Sequence, residues 1–141
     1  MQPNLSLVTL GTNDLPRAIA FFEEALGWKP HPSSQDEVAF YQLNGIAFAF
    51  WGKDRLADDA KVAADGSGFE GFALAINMPS EAEVDEVIAN AEKAGAKVLK
   101  HAEKVFWGGY SGYFADLDGH VWEVAYNPFW ELNDGIVTLP S

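Results

Sequence analysis

Apolar and polar positions along this chain follow two periods, and the switch between them occurs twice in the same order. Residues 5–10 and 72–77 are short, mostly apolar runs of strand length. Each is followed by a helical pattern. Leu15, Ala18, Ile19, Phe22 and Leu26 form one stripe at 3.6-residue spacing, which predicts a helix over 14–26. Val84, Val87, Ile88 and Ala91 form the other, over 80–94. Asn13 or Asp14 can cap the first helix, and Pro16 is tolerated in its first turn. Ser80 with Glu83 makes a capping box for the second. Gly27 and Gly95 stop them. Two hairpins then follow, 38–43 with 46–51 and 113–117 with 120–126, turning at Asn44-Gly45 and Asp118-Gly119. These dipeptides suit a type I′ turn, whose two central residues need positive φ.

The repeat predicts two similar half-units, 4–52 and 70–128, in one domain spanning 1–141, packed about a pseudo-twofold axis with a concave surface between them. The linker 53–69 carries Asp54, Asp58, Asp59 and Asp65 and then Gly66-Ser67-Gly68, the composition of a solvated segment with at most a helical turn over 56–62. Asn127-Pro128 closes the last strand. The tail 129–141 holds Phe129, Trp130, Leu132, Ile136, Val137 and Leu139, enough apolar surface to pack on the body or on a second subunit.

Strand parity assigns faces. Val121, Glu123 and Ala125 point one way; Trp122, Val124 and Tyr126 point the other. Counting from the turn glycines matches Glu123 with Ala49. Ala47, Ala49 and Trp51 therefore share the face that Glu123 takes, while Phe48, Phe50, Trp122 and Tyr126 face the helices. By elimination Glu123 points into the concavity. A carboxylate among aromatics there is expected to have its pKa raised by desolvation, which suits a catalytic acid or base. The alternative is a carboxylate held by a structural hydrogen bond or a lysine.

The segment 106–113 sets Phe106, Trp107, Tyr110 and Tyr113 among Gly108, Gly109 and Gly112. Glycine lets backbone and rings approach closely, and Trp and Tyr present flat faces with polar handles. Trp107, Tyr110 and Tyr113 are expected at the rim of the cavity that Ala47, Ala49, Trp51 and Glu123 line. A glycine-bent edge strand with interface aromatics is the alternative.

The 141 residues are 48% apolar and 21% charged, with a net charge of −12. This is the composition of a globular chain, and its charge disfavours nucleic acid and anionic membranes as partners. It would steer a cationic ligand inward, although solubility alone accounts for it. Without Cys there is no thiol nucleophile, disulfide or thiolate metal site. No secretory signal pattern and no apolar run near the roughly 18 residues of a membrane helix is visible. A soluble, cytoplasmic protein is the expectation.

Two stretches, 12–22 (TNDLPRAIAFF) and 113–124 (YFADLDGHVWEV), resemble the vicinal oxygen chelate superfamily of glyoxalases, bleomycin-resistance proteins and ring-cleaving dioxygenases. The resemblance implies an α+β fold of two βαβββ modules forming a pseudo-twofold open barrel, assembled as a homodimer, with 106–113 as a rim loop over the ligand mouth. It also implies divalent-metal ligands on four strands. Only Glu123 matches such a position. The matching sites fall near Leu7, near Ala49 and within 71–76, none of which supplies a ligand, and a catalytic metal wants at least three protein ligands. The expectation is no cofactor and no divalent ion at Glu123. His31, His101 and His120 are expected to be surface or structural residues.

Two functions remain open. One is a metal-independent small-molecule binding protein, like the drug-sequestering members, holding a cationic or aromatic compound through charge and cation–π contacts. The other is a lyase, isomerase or dioxygenase-like enzyme using Glu123 as acid/base or metal ligand.

Overall fold

The computed structural model describes residues 3, 6–66, 68–70 and 72–141. The expectations placed on Asn4, Leu5, Ser67 and Gly71 lie outside the described residues. The chain divides into two compact units: Met1–Glu23 with Gly27–Glu70, and Glu24–Leu26 with Gly71–Ser141.

The first unit contains β1 (Leu7–Thr12), α1 (Leu15–Leu26, apart from its last three residues), β2 (Val38–Gln42), β3 (Ala47–Gly52) and α2 (Lys53–Ala60). Its sheet runs β1-β3-β2, with β1 parallel and β2 antiparallel to β3. The Asp14 carboxylate caps α1, accepting from the Arg17 N–H at 3.1 Å, and Gly27 ends it at φ 71°. The buried stripe of α1 is Ala18, Phe21, Phe22 and Ala25, rotated from the predicted one, because Phe21 and Ala25 go inward while Leu15, Ile19 and Leu26 stay half-exposed. Phe22 anchors an aromatic core, with its ring 4.7 Å from Phe50 and 6.2 Å from Trp28.

Between α1 and β2 the chain meets the sheet edge at two points. The His31 N–H donates to the Phe40 carbonyl at 2.7 Å, and Gln35 bridges to Val38. Pro30 and Pro32 flank His31 and have no N–H to give, which prevents a continuous ladder. The predicted turn at 56–62 is instead the full helix α2, starting directly after β3.

The second unit carries the complete βαβββ order: β4 (Leu74–Asn77), α3 (Glu81–Lys93), β5 (Lys97–Lys104), β6 (Tyr110–Ala115) and β7 (Val121–Tyr126). The sheet runs β4-β7-β6-β5, with β4 parallel to β7 and the rest antiparallel. Ser80 caps α3, accepting from the Glu83 N–H at 3.2 Å, and its hydroxyl donates to the Glu83 carboxylate at 2.8 Å. Val84, Ile88 and Ala91 of α3 are buried, as are Phe114, Trp122 and Val124 of the sheet. Burying the larger of these side chains contributes roughly 1.5–3 kcal/mol each. The tail folds into a separate hairpin, β8 (Glu131–Asn133) with β9 (Ile136–Thr138).

The turns differ from the type I′ expectation. Gly45 and Gly119 have φ of 79° and 84°, but Asn44 and Asp118 stay at negative φ. At the second turn the cause is Asp116. Its carboxylate accepts from the N–H groups of Asp118 (3.0 Å) and His120 (2.9 Å) and from the Trp122 indole N–H (3.1 Å). This holds the residues after Asp116 in a right-handed turn, closed by the Gly119 N–H on the Asp116 carbonyl at 3.0 Å. The turn with two positive φ values is Asp134-Gly135 of the tail hairpin, at 49° and 80°.

Burial raises the Asp116 pKa above its ordinary value of 3.8, against the opposing pull of His120 and of the three donors. A raised folded-state value means the native state binds the proton more tightly. The stability this contributes is therefore fully present below 3.8 and is lost as pH rises through the folded value. Asp116→Asn, with a single acceptor oxygen facing three donors, should lose about 1–3 kcal/mol. In urea unfolding, the wild-type advantage over the variant should be largest in acid and shrink as pH rises through the Asp116 titration.

Candidate functional site

Burial of Trp122 and Val124 on β7 turns Glu123 to the sheet face away from α3. Cross-strand pairing extends that face. Glu123 lies between Ala75 on β4 and Tyr113 on β6, and Tyr113 pairs with Lys100 on β5. Ala75, Glu123, Tyr113 and Lys100 thus form one row across all four strands. The next row runs Asn77, Ala125, Ser111 and Glu103.

The loop between β5 and β6 stands beside this face. It is closed by the Gly108 N–H on the Val105 carbonyl and by the Val105 N–H on the Gly109 carbonyl, each at 3.0 Å. A Cβ on Gly108 would lie 2.7 Å from the Phe129 ring, and one on Gly109 would lie 1.8 Å from the Trp107 ring. The two glycines are what lets both rings rest on the loop backbone. Gly112 serves the opposite face, where a Cβ would meet Ile88 of α3 at 2.7 Å.

Two cavities of the second unit result, and they share Trp107 and Glu123. The larger, about 410 Å³, is lined by Asn77, Trp107, Glu123, Asn127, Phe129 and Trp130 among others. The smaller, about 290 Å³, includes Lys100, Glu103, Ser111, Tyr113, Trp107 and Glu123. Burial, and then the adjacent Glu123 carboxylate, push the Tyr113 phenol above its ordinary pKa of 10. Lys100 and Glu103 form an ion pair at 3.3 Å.

Of the residues singled out from sequence, the structure brings Glu123, Trp107 and Tyr113 together. It places Tyr110 elsewhere. Tyr110 has the parity of Gly112 and Phe114, and its hydroxyl donates to Asp85 of α3 at 2.7 Å, on the helix side of the sheet. Ala47, Ala49 and Trp51 lie in the first unit, on the face of β3 opposite Phe48 and Phe50. Ala49 is 1% exposed, paired between Thr9 and Phe40.

Sequence reasoning missed Asn77, Lys100, Ser111, Phe129 and Trp130. Asn77 and Ser111 were reachable by parity from Glu123. The register of Lys100 was not, because β5 carries two irregularities, between Val98 and Lys100 and between Lys100 and Glu103.

Among the described residues, no three His, Asp or Glu side chains group as metal ligands. The row neighbours of Glu123 are a methyl group and a phenol, a donor set that does not suit a resident divalent ion. His31 is engaged with Ser33 at 2.8 Å, His101 is exposed on β5, and the His120 ring lies 6.5 Å from that of Phe72. What the face offers is two carboxylates, a phenol, a hydroxyl, two amides and two lysines beside the rings of Trp107, Phe129 and Trp130. Such a face can hold a small molecule by stacking and hydrogen bonds.

Residues 4–124 match the family described as the Glyoxalase/Bleomycin resistance protein/Dioxygenase superfamily. Among solved structures, the chain is similar to a glyoxalase-related enzyme from Fulvimarina pelagi, at 38% identity over 100% of both chains and a TM-score of 0.89. Similarity in fold extends to a family enzyme from Burkholderia phytofirmans (20% identity, 88% and 98% of the two chains, TM-score 0.79). It extends also to a lactoylglutathione lyase from Agrobacterium tumefaciens (21%, 92% and 98%, 0.69). No curated protein matches significantly. The chain belongs to the glyoxalase/bleomycin resistance protein/dioxygenase superfamily.

Removing the charge beside Tyr113 should relax its phenol. In an ultraviolet titration of Glu123→Gln, one tyrosine should ionise at lower pH than in wild type. Tyr110, held by Asp85, should be unmoved. Gly109→Ala should displace the half-exposed Trp107 ring, shifting one indole N–H resonance of the five tryptophans. The stability cost should stay below about 1 kcal/mol, since a surface ring has room to move.

Proposed function

We propose that this member of the superfamily is a metal-independent binding protein for a small aromatic cation, held on the Glu123 face of the second unit. The observation that carries this reading is the larger cavity. A single carboxylate, Glu123, sits beside the rings of Trp107, Phe129 and Trp130 in about 410 Å³, a volume suited to a small molecule. A cation gains charge attraction from the carboxylate and cation–π contact from the rings, and the net charge of −12 favours its approach. Asn77 and Asn127 add hydrogen-bonding groups that can orient it.

A second reading is supported by one specific observation. The Tyr113 phenol lies next to the Glu123 carboxylate, so the pair could exchange a proton with a bound substrate. The related Fulvimarina pelagi protein is described as an enzyme. Under this reading Glu123 acts as acid/base in a lyase or isomerase reaction. The two readings separate on turnover of the bound compound. In either, we place the protein as a soluble homodimer. The exposed Ile136, Val137 and Leu139 support that assembly, and no helix among the described residues is long and apolar enough to cross a membrane.

Phenethylamine, an aryl ammonium at neutral pH, is a direct probe. Calorimetric titration should show one site per chain. Glu123→Gln keeps the side-chain volume and should weaken binding by about tenfold, a charge-assisted hydrogen bond being involved, while leaving the melting temperature nearly unchanged. Trp107→Ala should weaken it by about fivefold. Equal binding by wild type and Glu123→Gln would refute the assignment.

A further inference from the structure

The two cavities share Trp107 and Glu123 but differ in chemistry. The larger is the aromatic one. The smaller takes its character from Tyr113, Ser111 and two lysines, Lys100 and Lys104, set among the carboxylates of Glu103 and Glu123. Lysines and carboxylates in equal number, with hydroxyl donors, beside the aromatic site suit a ligand that carries an acidic group together with a cationic one. Lys100 occupies the same row as Glu123, two strands away, with Tyr113 between them. Two strand spacings amount to about 10 Å at the backbone, a gap that a long lysine side chain and a ligand a few bonds long can close together.

Lys100 is held now by Glu103 at 3.3 Å. Both side chains are substantially exposed, so the pair is worth at most about 1 kcal/mol and is readily exchanged for a ligand anion. Glu123 imposes the complementary condition. It would repel a simple aryl acid, so a ligand reaching Lys100 must first place a cationic or hydrogen-bond donor group beside Glu123. From these two constraints, and resting on the binding reading above, we infer that the smaller cavity is an anion subsite and that the ligand class is the aromatic amino acid. The ring lies against Trp107 and Phe129, the ammonium at Glu123, and the carboxylate at Lys100 with Tyr113 and Ser111 as neighbouring donors.

Three probes test this in titrations of the intact protein at pH 7: phenethylamine (cation only), 3-phenylpropionate (anion only) and L-phenylalanine (both). Phenylalanine should bind about tenfold more tightly than phenethylamine, the increment of one charge-assisted contact, and phenylpropionate most weakly. Lys100→Met should remove the phenylalanine advantage and leave phenethylamine unaffected; Lys100→Arg should preserve it. Glu103→Gln, which frees Lys100, should strengthen phenylalanine binding several-fold. If phenethylamine binds in a Glu123-dependent way but phenylalanine has no advantage, or the advantage survives in Lys100→Met, the anion subsite is refuted and the aromatic-cation site stands. If none of the three binds, both fall.

Discussion

The placement of the Trp122 indole is the constraint on which the second unit depends. Its ring stacks on Phe114 with centroids 6.2 Å apart and planes 4° from parallel, and its N–H is satisfied by Asp116. A one-residue slip of β7 would put this buried indole on the opposite face and Glu123 against α3. The cost of burying a carboxylate there without a partner excludes that register. The same Asp116 carboxylate shapes the β6–β7 turn, so turn, register and the direction of Glu123 are fixed by one set of hydrogen bonds.

Once the register is fixed, the site follows from what remains on the free face. Each strand contributes one residue to the Glu123 row, and the row changes from apolar at Ala75 to acidic, phenolic and basic at Lys100. The aromatic wall comes from outside the sheet, from the loop at Trp107 and the segment after β7, and needs bare backbone at Gly108 and Gly109. A rigid sheet thus supplies the polar groups, and a glycine-permitted loop supplies the rings.

Much of this was legible in the chain. Helix caps at Asp14 and Ser80, stops at Gly27 and Gly95, and hairpins at Asn44-Gly45 and Asp118-Gly119 are local signals, and they appear where expected. Parity gave Glu123 its face, and the glycine-spaced aromatics of 106–113 singled out Tyr113. Other features depend on contacts that no local pattern encodes. The turn type at Asp118 was set by a side chain two residues earlier. Tyr110, by contrast, lies three residues from Tyr113 on one strand, so period two already puts it on the helix side, where Asp85 accepts from its hydroxyl. Pro30 and Pro32, which have no N–H to give, explain why the chain around His31 meets the sheet edge at points only. Lys100 was hidden by the irregular pairing of β5, which breaks the period-two rule that worked for β7.

The central claim is that the sheet face carrying Glu123, and not the face against α3, receives a small aromatic ligand. Chemical-shift mapping of the labelled protein titrated with phenethylamine tests it most directly. The account predicts progressive shifts at Tyr113, Glu123 and Asn127 and at the Trp107 indole, with Tyr110 and Asp85 unmoved. Saturating shifts confined to α3 and Tyr110, or none at Glu123, would contradict it.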